Sequence, residues 1–262
     1  MINYELIMKN IKENKIENEF GKFFYTDSYI KLKNYLFNYL FRKHQIKKSF
    51  FKYFRNNILE KNFIIADIGS GISPISPLIE KTVFIELEKE AVDFLKKMNM
   101  NAMKGDITNL NLKNNSFDVI ICSEVLEHVK DYRRGIAEMY RVVKKYGGII
   151  ITVPTHDFYW KDDDEFVGHF RRFNPEILQK NLEEAGFKVL LRKPVGSKLE
   201  RHLTWLIVKI ARTNKSKSLR INKLKLIIFY LINNFLFNLI KIANAFTSEK
   251  NSSIILFVVK KI

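Results

Sequence analysis

The sequence predicts an α/β fold, a mostly parallel sheet with helices on both faces, and three observations carry that expectation. Short β-branched apolar runs such as FIIADIG alternate with segments whose apolar residues recur every three or four positions. The alternation keeps a strand, helix, strand order across residues 61–192, which is the pattern of parallel strands joined by crossover helices. A hydrophobic content of 47% over 262 residues supplies one sizeable core, so disorder is not the default.

Taken in order, residues 1–60 read as an N-terminal helical cap, with Tyr29, Leu32, Leu36, Tyr39 and Leu40 at helical spacing between Lys and Asn. The period changes at Asn62, and strands are expected at 63–68, 82–87, 103–104, 117–122, 148–153 and 187–192. Helices are expected at 88–98, 131–145 and 175–185. Asn174 caps the last of these, Pro175 takes its first position and Gly186 stops it. Residues 193–250 form an insertion, basic first and then apolar, before a final core strand in 251–262. There is no internal repeat and no Gly/Ser/Pro-rich linker.

The single cysteine, Cys122, excludes an intramolecular disulfide framework and a Cys-based zinc cluster, which fits a reducing cytoplasm. Charges interrupt the first twenty residues every few positions, so no secretion signal is expected. The net charge of +17 admits two readings: an anionic partner, nucleic acid or membrane surface, or a general bias toward Lys, Asn and Ile.

The densest signal is IIADIGSGISP, where a strand runs through Asp67 into Gly69 and Gly71. Small residues there let backbone amides approach a ligand at a strand's carboxyl end. Pro74 stands where a dinucleotide fold would need a third glycine, which argues against a bound pyrophosphate. Glu86 ends the second strand nineteen residues after Asp67, where a carboxylate can accept from both hydroxyls of a ribose. Next, KGDI sets Asp106 to meet an adenine amine and Ile107 to cover the ring. FDVIICSEVLEHV then delivers Cys122 and Ser123 to the edge where open α/β sheets bind ligands.

DIGSG, the acidic end of strand two, GDI, FDVIICSEVLEHV, RVVKKYGGIIITVP and EEAGF together resemble the ordered motifs of class I methyltransferases, most of all the broad type 11 group. The likeness covers residues 61–192 and the last strand. It implies a Rossmann-like seven-stranded sheet with the last strand antiparallel, and S-adenosyl-L-methionine as cofactor. Asp67, Gly69 and Gly71 would then line the methionine end, Glu86 the ribose, and Asp106 and Ile107 the adenine, with Ser123 also among the cofactor-binding residues. Ser73 replaces a glycine frequent in the group, and Pro74 and Pro77 leave room for a first helix of barely two turns.

Methyl transfer from a sulfonium is an in-line displacement, so the protein mainly aligns the acceptor and excludes water, and a base serves only a protonated nucleophile. His128 and His169 are the candidates. If SEVLEHV opens a helix, Glu124, Glu127 and His128 share one face and could act as base and orienter. The pattern resembles the E-x-x-E-H of some quinone-type O-methyltransferases, for which a divalent cation has been considered, but EVLEH is also common in the type 11 group. A structural role at the helix start therefore stands beside this, and we expect no resident metal. In EFVGHFRRF, His169, Arg171 and Arg172 either read an anionic acceptor or brace their loop against the acidic run 162–165. Tyr159, near His156 and Trp160, either stacks on the acceptor or closes a small core.

From Arg192 to Lys223 there are ten Lys or Arg and one acid, Glu200, with apolar residues interleaved as in a basic amphipathic helix. The next stretch, LKLIIFYLINNFLFNLIKIANAF, is long enough to cross a bilayer, yet Asn233, Asn234, Asn238, Lys241 and Asn244 fall on one arc. That stripe suits a helix lying at an interface or packed on the core, with the arc wet. The expected acceptor is small or lipid-linked, with peripheral contact through 198–246 at the inner membrane face of a cytoplasmic protein. A helical lid or homodimer contact is the other use of the segment. Nucleic acid explains the charge but not the apolar run, so an RNA methyltransferase ranks third, behind a non-catalytic scaffold that docks on membrane or partner.

Overall fold

The computed structural model describes residues 32–213 and 223–262, so Tyr29 and the first half of the expected cap lie outside the described residues. Seven strands form one sheet: β1 Ile65–Ile68, β2 Thr82–Glu86, β3 Ala102–Lys104, β4 Phe117–Ser123, β5 Val143–Pro154, β6 Phe187–Gly196 and β7 Ile254–Lys261. Their spatial order is β3-β2-β1-β4-β5-β7-β6. The first five are parallel, and β7 lies antiparallel between β5 and β6. All four residues of β1 are buried, as expected of a strand covered on both faces.

Successive side chains of β4 feed two separate cores. Ile120 and Cys122 pack with Ile136 and Met139 of α3 (Tyr132–Val142) and with Leu178 and Leu182 of α5 (Pro175–Glu184). Val119 and Ile121 face the other way, onto Ile46, Phe50 and Phe54 of α1 (Phe37–Phe54). The helix expected to cap the domain is therefore a layer of its core. A gap in the sequence explains this: the short helix foreseen between β1 and β2 does not form. Pro74 and Pro77 remove backbone donors and push the residues before them out of helical geometry, leaving a loop and one 3-10 turn at Ile79–Lys81. Tyr39 of α1 donates its hydroxyl proton to the Pro74 carbonyl at 2.7 Å and ties the helix to that loop.

α2 (Lys89–Lys97) covers the β2–β3 edge through Val92, Phe94 and Leu95. α3 ends at Val142, three residues earlier than expected, because Val143 already pairs with Phe117 and Lys144 reaches Asp118 at 2.8 Å. After the short α4 (Asp162–Phe166), α5 starts as foreseen, with the Asn174 side chain accepting from the amides of Glu176 and Ile177, and Gly186 follows at φ +99°.

Between β6 and β7 run α6 (Lys198–Thr213) and α7 (Lys223–Ala245). The orientation of α7 corrects the wet-arc expectation. Asn233 is buried, accepting from the Phe37 amide at 3.0 Å, and Asn244 donates to the Pro194 carbonyl at 3.1 Å. Ile240, fully buried, packs on Phe37 and Phe41 between these two anchors. Asn234, Asn238 and Lys241 stay exposed, but so does most of the apolar surface of the helix. Two asparagines turn inward because α1 and β6 offer backbone groups that need partners.

Candidate functional site

At the carboxyl end of β1 the chain turns through Gly69 (φ +74°) and Gly71 (φ +61°), the left-handed region that glycine enters without steric cost. A Cβ on Gly69 would stand 2.6 Å from Cγ2 of Val125, so this close approach admits no side chain. Glu86, at the end of β2, folds over the turn: its Oε1 accepts from the Gly71 amide at 2.7 Å and the Ser70 hydroxyl at 3.2 Å. Burial pushes the Glu86 carboxyl up to about 8, against the pull of the Gly71 amide. Asp106 follows β3, its Oδ1 accepting from the amide and hydroxyl of Thr108 at 2.8 Å each, and Ile107 is buried beside it. Ser123, at the end of β4, shares a 2.8 Å hydrogen bond with Thr152.

Gly69, Gly71, Glu86, Asp106, Ile107 and Ser123 all line one cavity of about 1210 Å³. Asp67 does not. Fully buried below the turn, its Oδ2 accepts from the amides of Ile75 and Ser76 at 3.1 and 3.0 Å, and burial raises it to about 7. It fixes the loop that replaces the first helix.

The other half of the cavity holds His128, His169, Arg172 and Glu124. The expected helical face of Glu124, Glu127 and His128 is absent. Glu124 sits at φ +56° ahead of a 3-10 turn, Leu126–His128, so the three residues do not share the face of an α-helix. Glu124 meets Arg42 of α1 at 3.6 Å. Its Oε1 and the Arg42 Nε are buried and have no hydrogen-bond partner among the described residues. Glu127 is fully buried behind the histidines, with neither oxygen hydrogen-bonded to a described residue; burial and Glu124 raise its carboxyl well above the usual range. The His128 and His169 rings meet edge to face at 4.6 Å, and Glu127 Oε1 lies 3.9 Å from His169 Nε2. The ligand atoms of Glu127, His128 and His169 lie within 4.8 Å of one another, close enough to share a cation, a grouping the sequence expectation of no metal did not foresee.

His169 Nδ1 is 2.7 Å from Asp164 Oδ1. Arg172 binds the same carboxylate at 2.8 Å, and Arg201 reaches it at 2.9 Å while pairing with Asp163 at 2.6 Å. Although burial opposes it, these bonds hold Asp164 down at about 2, so it is an anion at neutral pH. Burial and the neighbouring His169 depress His128 to about 4, against a backbone hydrogen bond to Gly168 that favours its charged form, so its ring is neutral there. The loop is thus braced by its acidic run, and two of its members face the cavity.

Three predicted acceptor residues do not line the cavity: Glu127, buried beside the histidines, Arg171 and Tyr159. Arg171 stacks on Tyr132 and donates to the carbonyls of Val129 and Lys130, while the Tyr159 hydroxyl donates to the Asn251 carbonyl in a small core. In their place the cavity receives Lys33 and Arg42 from the N-terminal segment and Glu200, Arg201 and Thr204 from α6. One of these left a trace in the sequence. Glu200, the lone acid of a basic stretch, is buried against the Ser253 and Thr204 hydroxyls at 2.9 and 3.1 Å.

Residues 66–151 match a family model described as a methyltransferase domain. The chain is 29% identical over 140 residues to an uncharacterized protein of Methanocaldococcus jannaschii, covering 52% of this chain and 60% of that one. It is 28% identical over 122 residues to the uncharacterized methyltransferase YcgJ of Bacillus subtilis, covering 41% and 47%. The crystal structure of YcgJ matches 83% of this chain and 98% of its own with a TM-score of 0.53 at 17% identity, a likeness of fold. A ubiquinone biosynthesis O-methyltransferase of Coxiella burnetii is 26% identical over 125 residues, covering 44% and 53%. This chain thus spans about half to three fifths of the length of the curated relatives it matches.

Proposed function

We propose that this chain, which carries a class I S-adenosylmethionine-dependent methyltransferase domain, moves the cofactor's methyl group to oxygen on a small or lipid-linked acceptor. The observation that carries this reading is that one cavity joins the Gly69–Gly71 turn and Glu86 to the His169–Asp164 pair. A relative named as an O-methyltransferase supports oxygen as the target. The cofactor supplies an electrophilic methyl group on sulfur.

Glu86 would accept from the ribose hydroxyls, Asp106 from the adenine amine, and Ile107 would cover the ring. Gly69, Gly71 and Ser123 would leave room for the methionine end; a Cβ at Gly69 would press on Val125 and disturb the turn that shapes it. At about 1210 Å³ the cavity exceeds the usual range for one ligand, roughly 300–1,000 Å³, and so has space for an acceptor as well. With Nδ1 hydrogen-bonded to ionised Asp164, His169 keeps Nε2 as an acceptor and takes the acceptor's hydroxyl proton, while Asp164 positions the ring. His128, neutral at working pH, walls the site. The unpaired Arg42 Nε and Glu124 Oε1 would satisfy polar groups of the acceptor, since buried atoms of this kind are costly when left alone.

In this reading the Glu127, His128 and His169 cluster handles protons. Excess chelator leaves the transfer rate unchanged; a rate lost to chelator and restored by a divalent cation would replace the base with a metal. The function itself is tested by incubating the full chain with methyl-tritiated cofactor and a membrane lipid extract. Label should enter the organic phase and fall on His169→Ala. Label found only in added RNA would favour the nucleic-acid reading, and no cofactor consumption would favour a scaffold.

A further inference from the structure

We infer that α7 docks flat on an anionic bilayer surface, with its outward apolar stripe in the lipid. At 100° per residue, Leu224, Ile228, Leu231, Phe235, Leu239 and Ile242 recur at intervals of four and three along one line of the helix. All six are exposed, Phe235 by 68% and Ile242 by 61%. The line lies well away from the arc of Asn233, Ile240 and Asn244 that seats the helix, so the fold holds the stripe outward. An exposed apolar strip of this length marks a surface made for a partner.

Charge selects the partner. Between the buried Arg201 and Glu249 the chain has eight Lys or Arg and no Asp or Glu. On the helix wheel Lys225 and Lys241 fall on opposite edges of the stripe. A second copy would bring the same cations against these, in a chain whose net charge is +17, whereas anionic headgroups around an apolar interior match both stripe and rim.

Topology selects the mode. α7 passes the length and hydropathy requirements for a membrane span. However, α6 and α7 connect β6 to β7, which are hydrogen-bonded neighbours with Gly196 opposite Ile254. One crossing would put these paired strands on opposite sides of the bilayer, so the helix lies in the interface. Thr204 and Val208 of α6 line the cavity, which brings its wall to the same helical platform and suits an acceptor drawn from the bilayer.

Lipid docking deepens the lipid-linked reading of the acceptor, and the test separates the two. The full chain is sedimented with phosphatidylcholine vesicles with and without phosphatidylglycerol, and the same samples are titrated with the demethylated cofactor. The wild type should bind the anionic vesicles about tenfold or more tightly than the neutral ones and release in high salt. The F235D/I242D variant should lose about tenfold or more of that binding with cofactor affinity unchanged, because both side chains are solvent-exposed in the folded chain. Equal binding of variant and wild type, no preference for anionic lipid, or a stable dimer in solution that F235D/I242D dissolves would each overturn the docking. Intact cofactor binding in those cases leaves the enzyme reading standing; its loss in the wild type would remove that reading alone.

Discussion

The two halves of the cavity are built in different ways. The cofactor half comes from a continuous run of sheet edge: a glycine turn, then the ends of β2, β3 and β4, with backbone amides and one or two carboxylates as the polar groups. The acceptor half is assembled from side chains of separate segments, Arg42 of α1, Glu124, the His169–Arg172 loop and Glu200–Arg201 of α6, crossed by ion pairs. A backbone-built site is fixed by the fold and tolerates little substitution. A side-chain-built site can change its ligand while the sheet stays as it is, which is how one fold serves many acceptors.

Substitutions should separate the halves. His169→Ala should lower kcat by about a hundredfold or more while cofactor affinity holds, the usual cost of removing a general base. Asp164→Asn should fall between the two and move the pH–rate profile, which mere bracing would leave in place. A parallel loss of cofactor affinity would mean that the halves are not independent. Gly69→Ala acts on the other half, costing about 1–3 kcal/mol through the positive φ and the Val125 contact, read as a lower Tm together with weakened cofactor binding. A variant as stable as the wild type would show that the turn yields.

The smallest expected effect is a pH dependence. Glu86, held at about 8 by burial, would in the proposed role accept from a ribose diol best as an anion. Affinity for the demethylated cofactor should therefore rise by at most about tenfold per pH unit up to about 8 and then level, with that component of the slope gone in Glu86→Gln. The sign for stability is opposite. Between the ordinary carboxylate value and about 8, the folded protein keeps a proton that the unfolded chain releases, so this group makes the fold less stable as pH rises across that window.

The contrast also explains what the sequence could disclose. Gly69, Gly71, Glu86 and Asp106 follow strand ends at short intervals, so local pattern located them, and the strands themselves needed only β-branched runs. Asp67 sits in the same motif but turns below the loop, a difference of side-chain direction that strand spacing does not encode. The missing first helix was half visible in Pro74 and Pro77, whereas its replacement by α1 depended on which sheet face remained bare. Arg42 meets Glu124, and Arg201 meets Asp164, across 37 residues or more of chain, and no local pattern reports such contacts. For α7 the polar arc was legible, but its inward turn depended on the free amide of Phe37 and the carbonyl of Pro194.

Calorimetric titration of the full chain with S-adenosylhomocysteine, wild type beside Glu86→Ala, reaches furthest into this account. Above about pH 8, where Glu86 is ionised, one saturable site in the wild type and a loss of about a hundredfold in the variant, near 3 kcal/mol for two hydrogen bonds to a charged group, is the predicted result. An identical dissociation constant for both proteins, or no saturable heat in the wild type, would contradict it.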